Sequence, residues 1–251
     1  MGRRLGQHFL YDREVIGRIV RSAAPGPDDT VVEIGPGPGA LTAALLQRAG
    51  RVVAIELDRA LAARLRERFA SAPNLTLVEG DALRFDYGGV GPFSVVANIP
   101  YEITTPLIFR LLEFRGLLGR MTLTVQKEVA ERLAAPPGGK SYGVLSIAVQ
   151  SVAEVSVLFP VPRALFHPPP RVDSACVGIV PRETPLVRAE DEALFFRIVR
   201  TAFSKRRKTL NNALAGVVGP DEIAAVGING SRRPETLSIE EFARLLGSSG
   251  A

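Results

Sequence analysis

Between Thr30 and about Gln126, short apolar runs alternate with longer amphipathic segments, the rhythm of repeated βαβ units. Val31-Val32-Glu33-Ile34 reads as a first buried strand and Ala40 to Arg48 as the helix behind it. Val52 to Leu57 is a second strand. Arg59 to Ala70 is a helix charged on its outer side, with Leu61, Leu65 and Phe69 on one face. Leu75 to Val78, Phe93 to Ala97 and Met121 to Val125 supply three more strands. Runs this continuously apolar belong in a parallel sheet covered on both faces, so the pattern predicts an α/β, Rossmann-like doubly wound fold. Ser174 to Val180 predicts a late strand, reached through Phe166-His167-Pro168-Pro169-Pro170-Arg171, where consecutive prolines favour an extended conformation. Beyond Pro181 the pattern changes. Arg182 to Glu190 is polar, contains Pro185 and reads as a linker, and Leu194 to Phe203, Thr209 to Val217 and Ile239 to Leu246 are helical by period. The expected division is a Rossmann-like domain over 1–183 and a small all-helical C-terminal domain over 184–251. No internal repeat or low-complexity tract interrupts it.

Composition narrows the class. The chain has 251 residues, 46% hydrophobic and 23% charged, values of a globular protein. No apolar stretch approaches the ~18 residues of a membrane span. Met1 to Leu10 is basic but lacks the apolar run of a secretory signal, and Gly6 stands where a myristoylation motif wants Ser or Thr. Cys176 is the only cysteine, which excludes an intrachain disulfide and fits a reducing compartment, so a cytoplasmic protein is expected. A monomer is expected, although the sequence itself does not settle the oligomeric state. With only His8 and His167 beside it, no His/Cys metal cluster is expected. A net charge of +5 and a pI near 9.8 point toward a polyanionic partner, weakly by themselves.

The first βα turn reads Glu33-Ile34-Gly35-Pro36-Gly37-Pro38-Gly39-Ala40. Glycines here let backbone approach a cofactor closely, and the next helix offers free N–H groups at its start. The turn also satisfies a loose dinucleotide pattern, and a tight turn that binds nothing is the plain alternative. Glu56 closes the second strand 21 residues after Gly35, where a carboxylate can accept from both hydroxyls of a ribose; a surface ion pair would look the same. Asp81, after the third strand, can accept from an adenine amino group or serve as a helix N-cap. Three such groups at the carboxyl ends of three successive strands favour an adenosine-containing cofactor over their separate alternatives.

The fourth strand ends in Asn98-Ile99-Pro100-Tyr101, which a nicotinamide enzyme gives no reason for. An adenine amino group is a poor nucleophile because its lone pair is delocalised into the ring. The side-chain oxygen of Asn98 and the carbonyl of Pro100 can accept its two hydrogens, so charge developing on nitrogen meets acceptors already aimed. Tyr101 offers a ring for an extruded base to stack on. The alternative is that Asn-x-Pro is only a turn.

Gly6-Gln7-His8-Phe9-Leu10, Glu33 to Gly39, Ile55-Glu56-Leu57-Asp58, Gly80-Asp81-Ala82 and Asn98 to Tyr101 resemble, in order, the motifs of the ribosomal RNA adenine N6,N6-dimethyltransferases. Gln126 to Val129, Ser141-Tyr142-Gly143, Phe166 to Ser174 and Phe203 to Leu210 extend the resemblance over nearly the whole chain. It is strongest to the branch that modifies two adjacent adenosines near the 3' end of small-subunit (16S) ribosomal RNA. The macrolide-resistance branch, acting on large-subunit RNA, shares the front half. The resemblance implies a Rossmann-like methyltransferase domain followed by a helical RNA-binding domain, with S-adenosylmethionine as methyl donor and small-subunit RNA or a pre-30S particle as partner. It places His8, Leu10, Gly35, Gly37, Glu56, Asp81 and Asn98 at the donor, with Asn98, Pro100 and Tyr101 facing the base. Phe166 resembles a second aromatic wall that would complete a sandwich with Tyr101; an ordinary core phenylalanine is its alternative. His8 stands where the family more often has Asn, and Ile99 where it more often has Leu.

Lys205-Arg206-Arg207-Lys208 puts four cations in a row. In an RNA enzyme they read as a phosphate grip that would contribute a salt slope of about −3 if all four bind single-stranded RNA; a solvated helix end is the bland account. No strong general base stands among the motif residues, and methyl transfer to an amine that loses its proton afterwards needs none. Two rival classes remain: a nicotinamide-dependent oxidoreductase, and a noncatalytic ribosome-assembly factor that shares the basic surface.

Overall fold

In the computed structural model, which describes residues 8–248, the apolar runs of the first half become neighbouring strands of one sheet. The chain opens with β1 (Phe9–Leu10) and α1 (Arg13–Ala23), followed by β2 (Thr30–Ile34), α2 (Ala40–Leu45), β3 (Arg51–Glu56), α3 (Arg59–Arg68) and β4 (Leu75–Glu79). Next come β5 (Phe93–Asn98), α4 (Thr104–Leu112), β6 (Leu118–Gln126), α5 (Lys127–Leu133) and α6 (Val144–Gln150). β7 (Ala153–Val161), β8 (Phe166–His167) and β9 (Ser174–Pro181) complete the strands. The remaining helices are α7 (Glu192–Ser204), α8 (Leu210–Ala213), α9 (Pro220–Ala225) and α10 (Ile239–Arg244).

The seven-stranded sheet runs β4-β3-β2-β5-β6-β9-β7. β4, β3, β2, β5 and β6 are mutually parallel, and β9 joins β6 antiparallel from Met121 opposite Ile179 to Gln126 opposite Ser174. Strand order reverses on either side of β2: β3 lies on one flank and β5 on the other. That places a crevice at the carboxyl ends of β2 and β5, where ligands of open α/β sheets bind. Both faces of β2, β3 and β5 are buried, which is why their sequences are apolar without alternation. α1 is set by Asp12, whose side chain caps the Val15 amide at 2.9 Å, and by Val15, Ile16, Ile19 and Val20 on its inner face. A two-residue antiparallel pair, β1 with β8, sets Leu10 opposite Phe166.

The chain divides into two compact units. One comprises the described residues up to Ala130 with Ser156–Pro181 and holds the sheet. The other takes Glu131–Val155 and the described residues from Arg182 onward. A single cut after residue 183 therefore does not describe the contacts. Residues 131–155 join the second unit because Ala135, Tyr142 and Ile147 are buried in one cluster with Phe195, Leu210 and Phe242. The helix expected over Thr209 to Val217 is shorter, ending in α8 at Ala213, with Gly216 beyond it at a φ of +86°. The proline segment contains a cis His167-Pro168 bond.

Candidate active site

β2, β3 and β5 deliver their last residues to one cavity of about 180 Å³, lined by the ends of all three strands and by the turn after β4. His8, Gly35, Gly37, Glu56, Asp81, Asn98, Pro100 and Tyr101 all line it. The glycine turn has the backbone its residues allow: Gly35, Gly37 and Gly39 have φ of +64°, +55° and +84°. At Gly37 a side chain is excluded twice over, since a Cβ there would stand 2.8 Å from the Phe9 ring.

Glu56 is 3% exposed. Its Oε2 accepts from the Gly37 amide at 3.0 Å and its Oε1 from the Asp58 amide at 2.9 Å. Burial raises its pKa, and these two N–H groups act against that rise. The carboxylate therefore joins the end of β3 to the glycine turn, and each oxygen keeps a further lone pair for a ligand. Asp81 accepts from the Leu83 amide at 2.9 Å in a turn, with no helix following it to cap, and its Oδ2 stands 3.8 Å from Arg84 Nε.

Asn98 Nδ2 donates to the carbonyl of His8 at 2.9 Å, which fixes the amide so that its Oδ1 remains an acceptor. The Pro100 carbonyl accepts from the Ile103 amide at 3.1 Å. The Tyr101 hydroxyl shares a 2.7 Å hydrogen bond with Ser174 Oγ, and its ring centre lies 5.7 Å from that of His8. Burial raises the Tyr101 pKa, so the ring presents a neutral phenol. His8 is held in turn by a 2.7 Å contact between Nδ1 and the Pro168 carbonyl. The preceding Gly6 and Gln7 of that motif lie outside the described residues.

Two expected site residues face elsewhere. Leu10 is 8% exposed and packs in the core with Val15, Ile16 and Phe166; it borders a smaller hollow with Gly35, Pro36 and Asn98 but not the main cavity, which Phe9, its neighbour on the opposite side of β1, lines. Phe166 is 3% exposed in that same core cluster and does not line the cavity, so the structure gives it the place of a core phenylalanine rather than a second wall. The ring near Tyr101 is that of His8. Sequence reasoning also gave no role to Leu57, an exposed apolar residue on the cavity, or to Ser174, the partner of Tyr101. Strand alternation alone signals Phe9; nothing local signals Ser174, 73 residues from its partner.

Glu33, on β2 next to the cavity-lining Ile34, is 1% exposed and does not line the cavity. Its Oε2 and the Thr42 hydroxyl have no hydrogen-bond partner, and the carboxyl is pushed up to about 8, chiefly by burial, with the Glu56 charge adding to the effect. Among the described residues no group of three His, Cys, Asp or Glu is placed to hold a metal, and no helix is long and apolar enough to cross a membrane.

In the second unit, the cations at 205–208 form the turn between α7 and α8. Lys205, Arg207 and Lys208 are exposed. Arg206 is partly buried, and its guanidinium donates to the Lys140 carbonyl at 2.9 Å.

Residues 2–248 match the family described as Ribosomal RNA adenine dimethylase. The chain is 47% identical to the ribosomal RNA small subunit methyltransferase A of Moorella thermoacetica, over 96% of this chain and 89% of that one. It is 48% identical to the protein of the same name from Pseudomonas syringae pv. tomato, over 97% and 92%. Among solved structures, a dimethyladenosine transferase from Plasmodium falciparum superposes with a TM-score of 0.84 at 30% identity, covering 95% of this chain and 96% of that one. The 23S rRNA methyltransferase ErmE superposes with a TM-score of 0.80 at 29% identity, covering 97% and 100%. With the glycine turn, Glu56, Asp81 and Asn98 to Tyr101 around one cavity and the match running through both units, the chain belongs to the ribosomal RNA adenine dimethylase family.

Proposed function

We propose that this protein transfers methyl groups from S-adenosylmethionine to N6 of two adjacent adenosines near the 3' end of small-subunit ribosomal RNA, giving N6,N6-dimethyladenosine. The observation that carries the chemistry is the meeting of the glycine turn, Glu56, Asp81 and Asn98 to Tyr101 around one cavity. The small-subunit substrate is favoured because relatives at 47% and 48% identity carry that name, whereas the 23S enzyme shares the fold at 29%.

The residues present suit S-adenosylmethionine. Gly35 and Gly37 bring bare backbone to the cavity wall, Glu56 has spare lone pairs for ribose hydroxyls, and Asp81, which also lines the cavity, keeps acceptor capacity for an adenine amino group beside its Leu83 bond and its 3.8 Å contact with Arg84. When bound, S-adenosylmethionine supplies an electrophilic methyl on a sulfonium. The chain's own part is to present the acceptor. Asn98 Oδ1 and the Pro100 carbonyl receive the two N6 hydrogens, and each is already held, Asn98 by His8 and Pro100 by its turn to Ile103. Acceptors fixed beforehand need no reorganisation as charge develops on nitrogen. Tyr101, anchored through Ser174, gives the base one stacking face. Alignment of this kind is worth ~7–11 kcal/mol in well-oriented reactions, so orientation supplies much of the rate.

The test is transfer of labelled methyl from S-adenosylmethionine to small subunits from cells lacking the gene, followed by nuclease digestion. Dimethyladenosine at two neighbouring positions, abolished by Asn98→Ala, is the expected result. Label confined to large-subunit RNA would reassign the substrate, and no label with either RNA would sink the enzymatic reading.

A further inference from the structure

The solvent side of α1 and its surroundings in the sheet-bearing unit carry guanidinium groups that the proposed reaction leaves without a task. Arg18 lies over the Phe159 ring, 4.1 Å from its centroid, and forms no ion pair with Glu14 one turn back. Arg120 donates to the Ser22 carbonyl at 3.2 Å. Arg21 lines two adjoining hollows, one shared with Arg18, Leu158 and Phe159, the other with Gln47 and Arg48. Among the described residues none of these four arginines has a carboxylate within 4.0 Å.

Helix ends alone do not account for the cluster. A helix C-terminus carries about half a negative charge, felt only over its last turn, and Arg120 already meets an end carbonyl of α1. The exposed acids nearby are Glu14 on α1 and Asp28 and Asp29 on the loop that follows it, Asp29 accepting from the Gly26 amide at 2.7 Å; the four cations outnumber them and pair with none, a surplus that costs self-repulsion unless a polyanion meets it. Two of the groups are also preorganised, Arg18 by an aromatic face and Arg120 by a carbonyl, with most of their five N–H donors left over. We propose that Arg18, Arg21, Arg48 and Arg120 form a second phosphate-binding surface, which holds the backbone of folded ribosomal RNA away from the adenosines being methylated. The inference rests on the rRNA methyl-transfer reading above. Arg21 and Arg48 each precede the start of a parallel strand, whereas the cavity lies at the strands' far ends, a separation of about 16 Å for a five-residue strand. A short oligonucleotide bound in the cavity does not reach this surface; a ribosomal subunit does.

The experiment compares wild type with Arg18→Gln/Arg21→Gln/Arg48→Gln, using small subunits and a short RNA spanning only the target adenosines. Arg120 is left in place because it holds the end of α1. The expected result is a rise of about ten-fold or more in KM for subunits at 0.15 M salt, with a salt slope shallower by about 2. The maximal rate, the KM for short RNA and the affinity for S-adenosylmethionine stay unchanged, and the triple Arg→Lys variant recovers most of the lost affinity. An unchanged KM and slope for subunits would overturn the proposal, as would an equal loss on the short RNA, which indicates a disturbed fold. Absence of methyl transfer by the wild type would remove the underlying reading, and the surface proposal with it.

Discussion

Glu33 and Glu56 are both buried carboxylates at the carboxyl ends of strands, yet their partners make them behave differently. Glu56 has a backbone N–H on each oxygen. In Glu56→Gln one of the two positions becomes an NH₂, whichever way the amide turns, and it then opposes the amide of Gly37 or Asp58. An unmet buried donor costs ~1–3 kcal/mol. The variant should therefore bind S-adenosylmethionine about ten-fold or more weakly by calorimetry, despite its near-identical shape; unchanged affinity would mean that Glu56 does not organise the glycine turn. Glu33 has no partner on Oε2 and a carboxyl pushed up to about 8. Between the ordinary carboxylate value and 8 the folded protein keeps this proton while the unfolded chain has lost it, so stability from this group is full below about pH 4.5 and falls as pH rises toward 8. The slope is about 1.4 kcal/mol per pH unit at most. Glu33→Gln lacks that slope, so its melting temperature should gain on the wild type from pH 5 to pH 8; parallel curves would show that Glu33 is ionised in the fold.

At the scale of elements, the turn between α7 and α8 combines two jobs that one run of cations conceals. Arg206 ties the loop at Lys140, whereas Lys205, Arg207 and Lys208 are free to meet phosphate. Arg206→Ala should lower the melting temperature, and Lys205→Ala/Arg207→Ala/Lys208→Ala should leave it in place while making the salt slope of RNA binding shallower by about 2, not 3. Equal behaviour of the two variants in both measurements would refute this division. The same distinction explains what was legible beforehand. The strands from Val31 to Val125 and the convergence of Gly35, Glu56, Asp81 and Asn98 could be read because burial on both faces writes continuous apolar runs, and parallel strands bring their ends together by topology. α6, with the sequence VLSIAVQ, and β7, interrupted by Pro160, have compositions that do not separate helix from strand, and neither was read. Leu10 and Phe166 were assigned to the site because their motif is there; the pairing of β1 with β8 turns both into the core, a long-range fact that no local pattern carries.

For the whole molecule, a 23S rRNA methyltransferase superposes nearly as well as a dimethyladenosine transferase, while the sequence relatives at 47% and 48% identity are named for the small subunit, so one fold accompanies names for different ribosomal RNAs. Substrate choice must then reside in side chains and surfaces rather than in the sheet, and both units have basic surfaces to contribute. The second unit is assembled from two separate stretches of chain, and this has a direct test. A protein ending at Glu183 keeps every cavity residue, all of which lie before Glu131, and resembles a complete methyltransferase domain by sequence. It would nevertheless lose the helices that bury Ala135, Tyr142 and Ile147, exposing apolar surface that folding had covered. Burial of one large apolar side chain is worth ~1.5–3 kcal/mol, and total stability is usually only ~5–15 kcal/mol, so losing several such contacts is a substantial fraction of it. The truncated chain is expected to aggregate or to melt many degrees below the full protein in light-scattering and calorimetric scans. A variant that also replaces residues 131–155 with a short polar linker should recover solubility, because the orphaned apolar surface goes with them. If the chain ending at Glu183 instead melts cooperatively near the full protein's temperature, the contacts of residues 131–155 with the C-terminal helices contribute little, and a boundary after residue 183 describes the energetics better than the two-segment unit.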